Sequence, residues 1–215
     1  MSDPVVAAIP VRESAEGLVD VRADGRLLVD LRKQDPEGHF AQVREGVAGR
    51  LLAAQGSLPD GLRILFVEGY RPPALQRAYF EEYLAELRLG NPAASEQELF
   101  SAASRYVSPP DIAPHSAGAA VDLTLTTDDG AELDMGTRVN ANPEESDGAC
   151  FTGAHSISAQ ARANRDVLGR ALAAAGLVNY PTEWWHWSYG DRYWALATGA
   201  SAARYGPVSR PGSGG

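Results

Sequence analysis

The chain is poor in several features that would assign it to a class at once. Its 215 residues include one cysteine, Cys150, so an internal disulfide framework is excluded and a reducing compartment is compatible. No apolar run approaches the roughly 20 residues that a membrane-spanning helix needs, so we expect no membrane partner. The formal net charge is −9 and the basic residues do not cluster. We therefore expect neither nucleic acid nor an anionic membrane surface as a partner.

Length and composition predict one globular domain. Hydrophobic residues make up 44% of the chain and charged residues 22%, which are ordinary values. We place the domain at 1–205 and expect a flexible tail over 206–215, which is rich in glycine, serine and proline. The segment 1–10 lacks a basic start and a continuous apolar stretch, so we predict no signal peptide and a cytoplasmic location. Nothing in the sequence indicates an oligomeric state.

Hydrophobic periodicity predicts a mixture of helices and short strands. Helices are expected over 37–55, 73–88, from 95 onward and over 158–175. Strands are expected over 62–67 and 119–125, with 177–180 and 184–187 as a pair and short β-like pieces at 17–22 and 27–31. The stretch 126–156 is rich in Asp, Asn and Gly and is predicted to be a long loop. This order favours an α+β fold, a single compact domain with a small, mostly antiparallel sheet and helices packed on it.

Histidine is also scarce, and two of the four histidines lie in short segments that contain carboxylates. The first segment runs from His115 to Asp122, and the second is Glu183-Trp-Trp-His186. A catalytic zinc ion takes three protein ligands from His and Asp or Glu and keeps a fourth position open for water. A further carboxylate beside that water can act as a base. The two segments together predict a zinc hydrolase site at the sheet.

The spacing within each segment leaves another interpretation open. In a regular strand, His115 and Asp122 would face opposite sides, because seven positions is an odd number. A turn at Gly118, which permits unusual dihedral angles, would bring them together. A tight turn would likewise be needed between Glu183 and His186. Without such turns, the first pair is ordinary surface polarity and the second is a polar pair at the edge of an aromatic core.

The order of the motifs resembles one family. The segment His115-x-x-Gly-x-Ala-x-Asp122, followed by Glu183-Trp-Trp-His186, is similar to the zinc D-Ala-D-Ala dipeptidases of the vancomycin-resistance type. These belong to a wider family that includes D,D-carboxypeptidases. The runs Glu68–Pro72 and Val121–Leu125 and the pair Met135-Gly136 match in the same order. The resemblance extends over roughly residues 15 to 195.

The resemblance implies a role for each motif. One zinc ion per chain would be bound by His115, Asp122 and His186. Glu183 would take a proton from the water that the metal activates and return it to the leaving amine. Arg71 would lie over the developing oxyanion, where a fixed cation has its largest effect. Alternatively, Arg71 is a surface arginine after a turn, or the ion-pair partner of Glu68.

Two positions depart from the family pattern. The family has a serine two positions before the first zinc histidine, and Ala113 stands here instead. It tends to carry an aspartate a few positions after Met-Gly, and Asn140 stands here instead. In the family these positions hold the ammonium group of the substrate, and each charge-assisted hydrogen bond lost is worth about 1.5–3 kcal/mol. Other acceptors in the same loop are Asp134, Glu144 and Glu145.

His155 is a further candidate for substrate binding. It lies in the loop before the long helix predicted at 158–175. A role at the entry of that helix is the alternative interpretation.

We therefore predict zinc-dependent hydrolysis of a small dipeptide-like substrate, with D-Ala-D-Ala favoured by the resemblance. One alternative is a related zinc hydrolase that acts on a modified or N-blocked amino-acid amide in a biosynthetic pathway. The other is a metal-dependent peptide binder without catalysis. The presence of Glu183 favours an enzyme, because a binder has no use for a base beside the metal. Resistance, cell-wall turnover and biosynthesis are all compatible roles.

Overall fold

The computed structural model describes residues 4–109 and 112–208. Its α-helices are α1 (Pro4–Ala7), α2 (Glu45–Gly56), α3 (Pro73–Gly90), α4 (Glu96–Tyr106), α5 (Pro143–Ser146), α6 (Ala159–Ala174) and α7 (Arg192–Thr198). Its strands are β1 (Leu18–Asp20), β2 (Leu28–Val29), β3 (Gln42–Arg44), β4 (Leu62–Glu68), β5 (Ala120–Thr127), β6 (Val178–Asn179) and β7 (His186–Ser188). Two 3-10 helices, His39–Ala41 and His115–Ala117, complete the described elements. The α+β class is confirmed.

Contacts within the chain define two compact units. The sheet unit consists of Glu16–Tyr70 and Ala119–Tyr189. The helical unit consists of the residues up to Ala15, Arg71–Gly118 and the residues from Gly190 on. A single domain over 1–205 therefore stays a prediction. Of the tail predicted at 206–215, residues 209–215 lie outside the described part of the chain, as does Met1-Ser2-Asp3 at the other end.

The sheet unit is built on five strands in the order β2-β4-β5-β7-β6. Only β2 and β4 run parallel, and the other neighbours are antiparallel. The central strand β5 is buried along its length up to Thr126, although Asp122, Thr124 and Thr126 alternate with its apolar residues. Strands β1 and β3 form a separate antiparallel pair. The strands expected at 62–67 and 119–125 and the pair at 177–187 are confirmed to within one or two residues.

Helices α2 and α6 pack against each other in the same unit. Helix α6 begins where the Ser158 side chain accepts a hydrogen bond from the Ala161 amide at 2.9 Å. It ends before Gly176, whose φ of 84° suits glycine and stops the helix. The helix predicted over 158–175 is confirmed.

The helical unit contains the pairs α3 with α4 and α1 with α7. Helix α3 begins with proline in its first turn, as the sequence suggests. Helix α4 begins with the predicted capping box, in which Ser95 and Glu98 each bond the other's backbone amide. Within the ranges that the structure describes, no helix is both long and apolar enough to cross a membrane. The cytoplasmic location stays a prediction.

The helix predicted over 37–55 is wrong in its first half. The carboxylate of Asp35 accepts hydrogen bonds from the amides of His39 (3.1 Å) and Phe40 (2.8 Å), which winds this stretch into a turn. Gln42–Arg44 then pairs with β1, and the helix begins only at Glu45. The apolar spacing that resembled one helix is shared between a turn, a strand and a helix. The loop predicted over 126–156 likewise loses two residues to β5 and contains the short helix α5.

Candidate metal centre

Sheet register aligns three buried polar side chains across neighbouring strands. Asp122 on β5 lies opposite His186 on β7 and opposite Glu68 on β4. Residues directly opposite each other in an antiparallel pair project to the same face, with Cβ atoms about 5 Å apart. All three residues are buried. The sheet therefore brings together Asp122 and His186, two of the predicted ligands, without any unusual backbone.

The contact between these two side chains is short. The Nδ1 atom of His186 lies 3.0 Å from Oδ1 of Asp122, and both residues are 3% exposed. The rings of Tyr180 and His186 form a T-shaped contact, with 6.0 Å between their centroids. On the other side of Asp122 in the sheet, the Glu68 carboxylate lies 3.9 Å from Nζ of Lys33. The imidazole and carboxylate of the central pair are thus fixed in a desolvated environment.

Glu183 lies in a turn immediately before β7. Its amide donates to the Tyr180 carbonyl (3.0 Å), and the His186 amide donates to the Glu183 carbonyl (3.1 Å). The turn places Oε2 of Glu183 3.8 Å from Nδ1 of His186, while 24% of the Glu183 side chain stays exposed. The tight turn that the three-residue spacing requires is therefore present. A carboxylate beside a buried imidazole, yet open to solvent, has the position that a general base needs.

Asn179 on β6 stabilises this turn from the side. Its Nδ2 donates to the carbonyls of Glu183 (3.1 Å) and His186 (3.0 Å). Its Oδ1 accepts from the hydroxyl of Thr152 at 2.6 Å, which fixes the amide orientation. Sequence reasoning missed Asn179, because nothing in its local pattern shows that its partners lie four and seven residues ahead.

His115 opens the 3-10 helix that ends at Gly118, whose φ of 64° is left-handed. This is the turn that the His115–Asp122 spacing requires, and glycine adopts it without strain. His115 is buried, and its carbonyl accepts from the Arg71 amide at 3.2 Å. The Ser116 hydroxyl donates to the Arg71 carbonyl at 3.0 Å. The backbone at Arg71 is thereby held on both sides by the segment that carries His115.

The guanidinium of Arg71 is held by other residues than those that hold its backbone. Nη1 donates to Oε1 of Gln76 at 2.9 Å, and the group lies 5.1 Å from the centroid of the Tyr79 ring. Arg71 itself is half-buried. The cation is therefore fixed in direction while part of the residue stays accessible.

Two groups of three side chains among the described residues could hold a metal ion. The first is His115, Asp122 and His186, and all three side chains are buried. Two imidazoles and one carboxylate form a donor set that suits zinc and leaves a coordination position open. The second group is Asp35, Glu37 and His39, and it is at least partly exposed. There, backbone amides already occupy the oxygens of Asp35, so the turn explains that cluster.

Comparison with known proteins identifies the family. A family model described as D-ala-D-ala dipeptidase, of peptidase family M15, matches residues 32–200. The chain belongs to this family. The resemblance drawn from the motifs is confirmed, and so is the expectation of a metallopeptidase-type enzyme.

Two relatives of this M15 family member are D-alanyl-D-alanine dipeptidases. It is 28% identical over 225 residues to a D-alanyl-D-alanine dipeptidase of Synechocystis sp., with 87% of each chain covered. It is 30% identical over 147 residues to a D-alanyl-D-alanine dipeptidase of Enterococcus faecium, covering 66% of this chain and 69% of the relative. A solved structure of the LD-carboxypeptidase LdcB is similar in fold, with a TM-score of 0.50, 15% identity and 89% and 76% of the two chains covered.

The two positions that depart from the family pattern differ in their surroundings. Ala113 is only 2% exposed and lines a small cavity of the helical unit together with Asp191 and Tyr205. Asn140 is half-buried and has a left-handed φ of 62°, a conformation that asparagine tolerates better than most residues. Its carbonyl accepts from Arg138. Neither side chain offers a negative charge.

The three alternative acidic residues differ in their exposure and in the hydrogen bonds that they accept. Asp134 accepts from the Gly136 amide (2.8 Å) and from the Ser158 hydroxyl (3.1 Å). Glu145 forms a two-oxygen ion pair with Arg138, at 2.6 and 2.8 Å. The third, Glu144, is exposed. The structure thus gives Asp134 a contact with the start of α6 and Glu145 an ion pair within the loop.

His155 is not drawn into the cluster around Asp122 and His186. It is exposed in the loop before α6, and among the described residues it makes no hydrogen bond or ion pair. The helix-entry role belongs instead to Ser158, whose side chain caps α6.

The long loop is anchored by a buried arginine that sequence reasoning missed. Arg165 on α6 donates to the carbonyls of Met135 (2.7 Å), Phe151 (2.8 Å) and Ala149 (2.8 Å). Burial lowers the pKa of Arg165 to about 10, which still leaves it protonated at neutral pH. Burial also raises the pKa of the neighbouring Cys150 thiol. The Cys150 thiol therefore stays protonated at neutral pH, as expected for a small buried residue rather than a nucleophile.

Proposed function

We propose that the chain is a zinc-dependent dipeptidase in which His115, Asp122 and His186 hold one metal ion. Membership of the M15 family supports dipeptide hydrolysis in general, and relatives named D-alanyl-D-alanine dipeptidase favour D-Ala-D-Ala as the substrate. The burial and donor chemistry of the three side chains support a zinc site. When bound, zinc supplies Lewis acidity, which polarises a carbonyl and makes a water more acidic.

The observation that carries this proposal is the position of Glu183. Its Oε2 lies 3.8 Å from Nδ1 of His186, and the turn before β7 holds it there. A merely structural carboxylate beside a buried imidazole needs no access to solvent, whereas a base must reach a water and a substrate. The partial exposure of Glu183 supports the second role.

Each remaining residue has one task in the proposed reaction. Glu183 accepts a proton from the attacking water at its carboxylate and delivers it to the nitrogen of the leaving amino acid. Arg71 stabilises the oxyanion that develops on the scissile carbonyl, because a fixed cation there gains most in the transition state. Asn179 holds the backbone of the turn that carries Glu183, and Gln76 holds the guanidinium of Arg71.

Replacement of Glu183 tests the proposal. Glu183→Gln keeps the size of the side chain and removes the base, so we expect kcat for D-Ala-D-Ala to fall by about 10²–10⁴-fold. Zinc content, measured by atomic emission, should stay near one ion per chain. Glu82→Gln is the matched control, since Glu82 is an exposed residue on α3. A parent protein without bound zinc, or a Glu183→Gln variant as active as the parent, would contradict the proposal.

A second candidate substrate is an N-blocked or otherwise modified amino-acid amide. Ala113 and Asn140 replace the serine and aspartate that the family uses for the ammonium group. Asp134 and Glu145 are committed to other partners in the loop. A site without a carboxylate acceptor discriminates less against a substrate whose nitrogen carries no charge.

The ratio of kcat/KM for D-Ala-D-Ala and its N-acetyl derivative tests this candidate. If the ammonium pocket has been lost, the ratio should be close to one or should favour the acetylated compound. Asn140→Asp should then shift the ratio toward the free dipeptide by about 10-fold or more, since one charge-assisted hydrogen bond is worth about 1.5–3 kcal/mol. Asn142→Asp, which is two residues further on, serves as the charge control. A parent that strongly prefers the free dipeptide would rule the candidate out.

A further inference from the structure

Gln76 is the buried polar side chain that contacts the guanidinium of Arg71. It lies in the first turn of α3 and is 2% exposed. Its Oε1 accepts from Nη1 of Arg71 at 2.9 Å, and its Nε2 donates to the Ser108 carbonyl at 2.7 Å. Both ends of the amide are therefore occupied, and one end is occupied by the cation that we assign to the oxyanion.

The backbone around Gln76 fixes where its side chain begins. The Gln76 amide donates to the Pro72 carbonyl at 3.0 Å, which is the first hydrogen bond of the helix that follows Arg71. Proline at Pro72 and Pro73 restricts the chain between the two residues. The Arg71 backbone is held in turn by His115 and Ser116. Because the backbone is held in this way, the guanidinium can move mainly by rotation about the side-chain torsions of Arg71.

The Ser108 carbonyl determines which way the amide faces. A carbonyl oxygen can only accept, so the NH2 group of Gln76 must point toward it. That leaves the oxygen of the amide facing Arg71, and a guanidinium can only donate. In the reversed orientation, the amide oxygen would face the Ser108 carbonyl oxygen and the NH2 group would face the guanidinium of Arg71. Neither hydrogen bond could then form. The orientation of Gln76 is thus determined by chemistry at both ends.

An amide and a carboxylate in this position would have different consequences. Either group could hold the guanidinium by accepting a hydrogen bond. A carboxylate would also neutralise the positive charge, and stabilisation of an oxyanion depends on that charge. Gln76 directs Arg71 without adding a negative charge of its own.

We infer that Gln76 is a positioning residue that aims Arg71 at the oxyanion while leaving its charge available. This inference rests on the proposed function, because it assigns Arg71 to the reacting carbonyl. It predicts that a change at Gln76 affects the transition state more than substrate binding, and only through Arg71.

A double-mutant cycle on the full-length zinc enzyme tests the inference. Gln76→Met keeps the length of the side chain and removes both hydrogen bonds. We expect it to lower kcat for D-Ala-D-Ala by about 10- to 100-fold, the size of effect that misplacing a catalytic group has. KM should change less than about threefold, because the interaction belongs to the transition state. In an Arg71→Met background, Gln76→Met should lower kcat by less than about twofold.

Two further variants separate the orientation of Arg71 from its charge and from the stability of the fold. Gln76→Glu keeps an acceptor for Arg71 but adds a negative charge, so kcat should still fall by about 10-fold or more. Should Gln76→Met fail to fold, the cycle is run with Gln76→Glu. Gln55→Met is the matched control, because Gln55 also bridges two backbone groups, the Ile64 amide and the Leu62 carbonyl, and lies in the sheet unit. Its kcat should stay within about twofold of the parent.

The outcomes distinguish this inference from the proposed function. A parent that cleaves no dipeptide, or an Arg71→Met variant with full activity, overturns the assignment of Arg71 and the inference together. An impaired Arg71→Met variant with a fully active Gln76→Met variant overturns the inference alone. So does a loss at Gln76→Met that is equal in both backgrounds, since a merely structural residue would act independently of Arg71.

Discussion

Two regions of the molecule position the side chains of the proposed site by different means. In strands β5 and β7, Asp122 and His186 face each other because the sheet register puts them in opposite positions. In the segment 71–118, Arg71 lies in a loop and His115 in a single turn of 3-10 helix, and neither belongs to a strand. Ser116 holds the Arg71 backbone and Gln76 holds its guanidinium. The first region relies on backbone ladder bonds, whereas in the second region the position of Arg71 relies on single side chains.

This difference predicts where substitutions will be tolerated. Ladder hydrogen bonds are made by the backbone, so side chains along the buried strand β5 can be exchanged for others of similar size without moving Asp122. A hydrogen bond from a single side chain is lost completely when that side chain is replaced, and the buried group left behind costs about 1–3 kcal/mol. We therefore expect the sheet to be robust and the irregular segment to be fragile.

The largest effect should occur where the sheet region itself depends on one side chain. Asn179→Ala removes two hydrogen bonds to the carbonyls of the Glu183 turn. We expect kcat for D-Ala-D-Ala to fall by about 10- to 100-fold through misplacement of Glu183. Asn164→Ala is the control, because Asn164 also bonds through both ends of its amide but not to the turn. Equal losses of activity in the two variants would show that Asn179 acts only on stability.

A smaller effect is expected at Ser116. Ser116→Ala leaves the Arg71 carbonyl without its hydroxyl donor, so the free energy of unfolding should fall by about 1–3 kcal/mol, with a loss of kcat of about 10-fold or less. Thermal unfolding and steady-state kinetics measure the two quantities. Ser104→Ala is the control, since the buried Ser104 hydroxyl has no partner among the described residues. If Ser116→Ala loses no more stability or activity than Ser104→Ala, the segment 71–118 depends less on single side chains than the comparison of the two regions predicts.

The smallest effect, and one of opposite sign, is expected on β5. The Thr124 hydroxyl is buried without a partner within the described ranges, two residues from Asp122. Thr124→Val removes that unsatisfied group and should raise the free energy of unfolding by about 1 kcal/mol, or the melting temperature by about 2–4 °C. Activity should change less than about twofold. Thr152→Val removes a hydroxyl that does donate, to Asn179, and should destabilise instead. A Thr124→Val variant that is less stable than the parent and inactive would contradict the expected robustness of the sheet.

Elements with local signals could be predicted from the sequence. Ser95 and Ser158 mark helix starts that the structure confirms, because a capping side chain bonds an amide three residues away. The strand β4 could be predicted from a short apolar run. The family motifs identified the predicted ligand residues and Glu183, and Gly118 supplied the turn before β5. Each of these signals is contained within a few residues.

The remainder depended on partners that are distant in sequence. The start of α2 was misplaced because Gln42–Arg44 pairs with β1, which lies more than 20 residues earlier. Gln76 depends on the Ser108 carbonyl, 32 residues on, and Arg165 on Met135, 30 residues back. The spacing of apolar residues along the sequence does not indicate such long-range contacts. The residues that support a site are therefore harder to predict than the residues that perform its chemistry.

The three bonds from Arg165 have a consequence for how this protein can diversify. They end on the carbonyl oxygens of Met135, Ala149 and Phe151, which every amino acid possesses. The side chains between these attachment points can therefore be exchanged while the path of the segment is preserved. Asn140 lies within that span, so its side chain can be replaced by a change of a single codon while the buried arginine and the sheet are inherited unchanged.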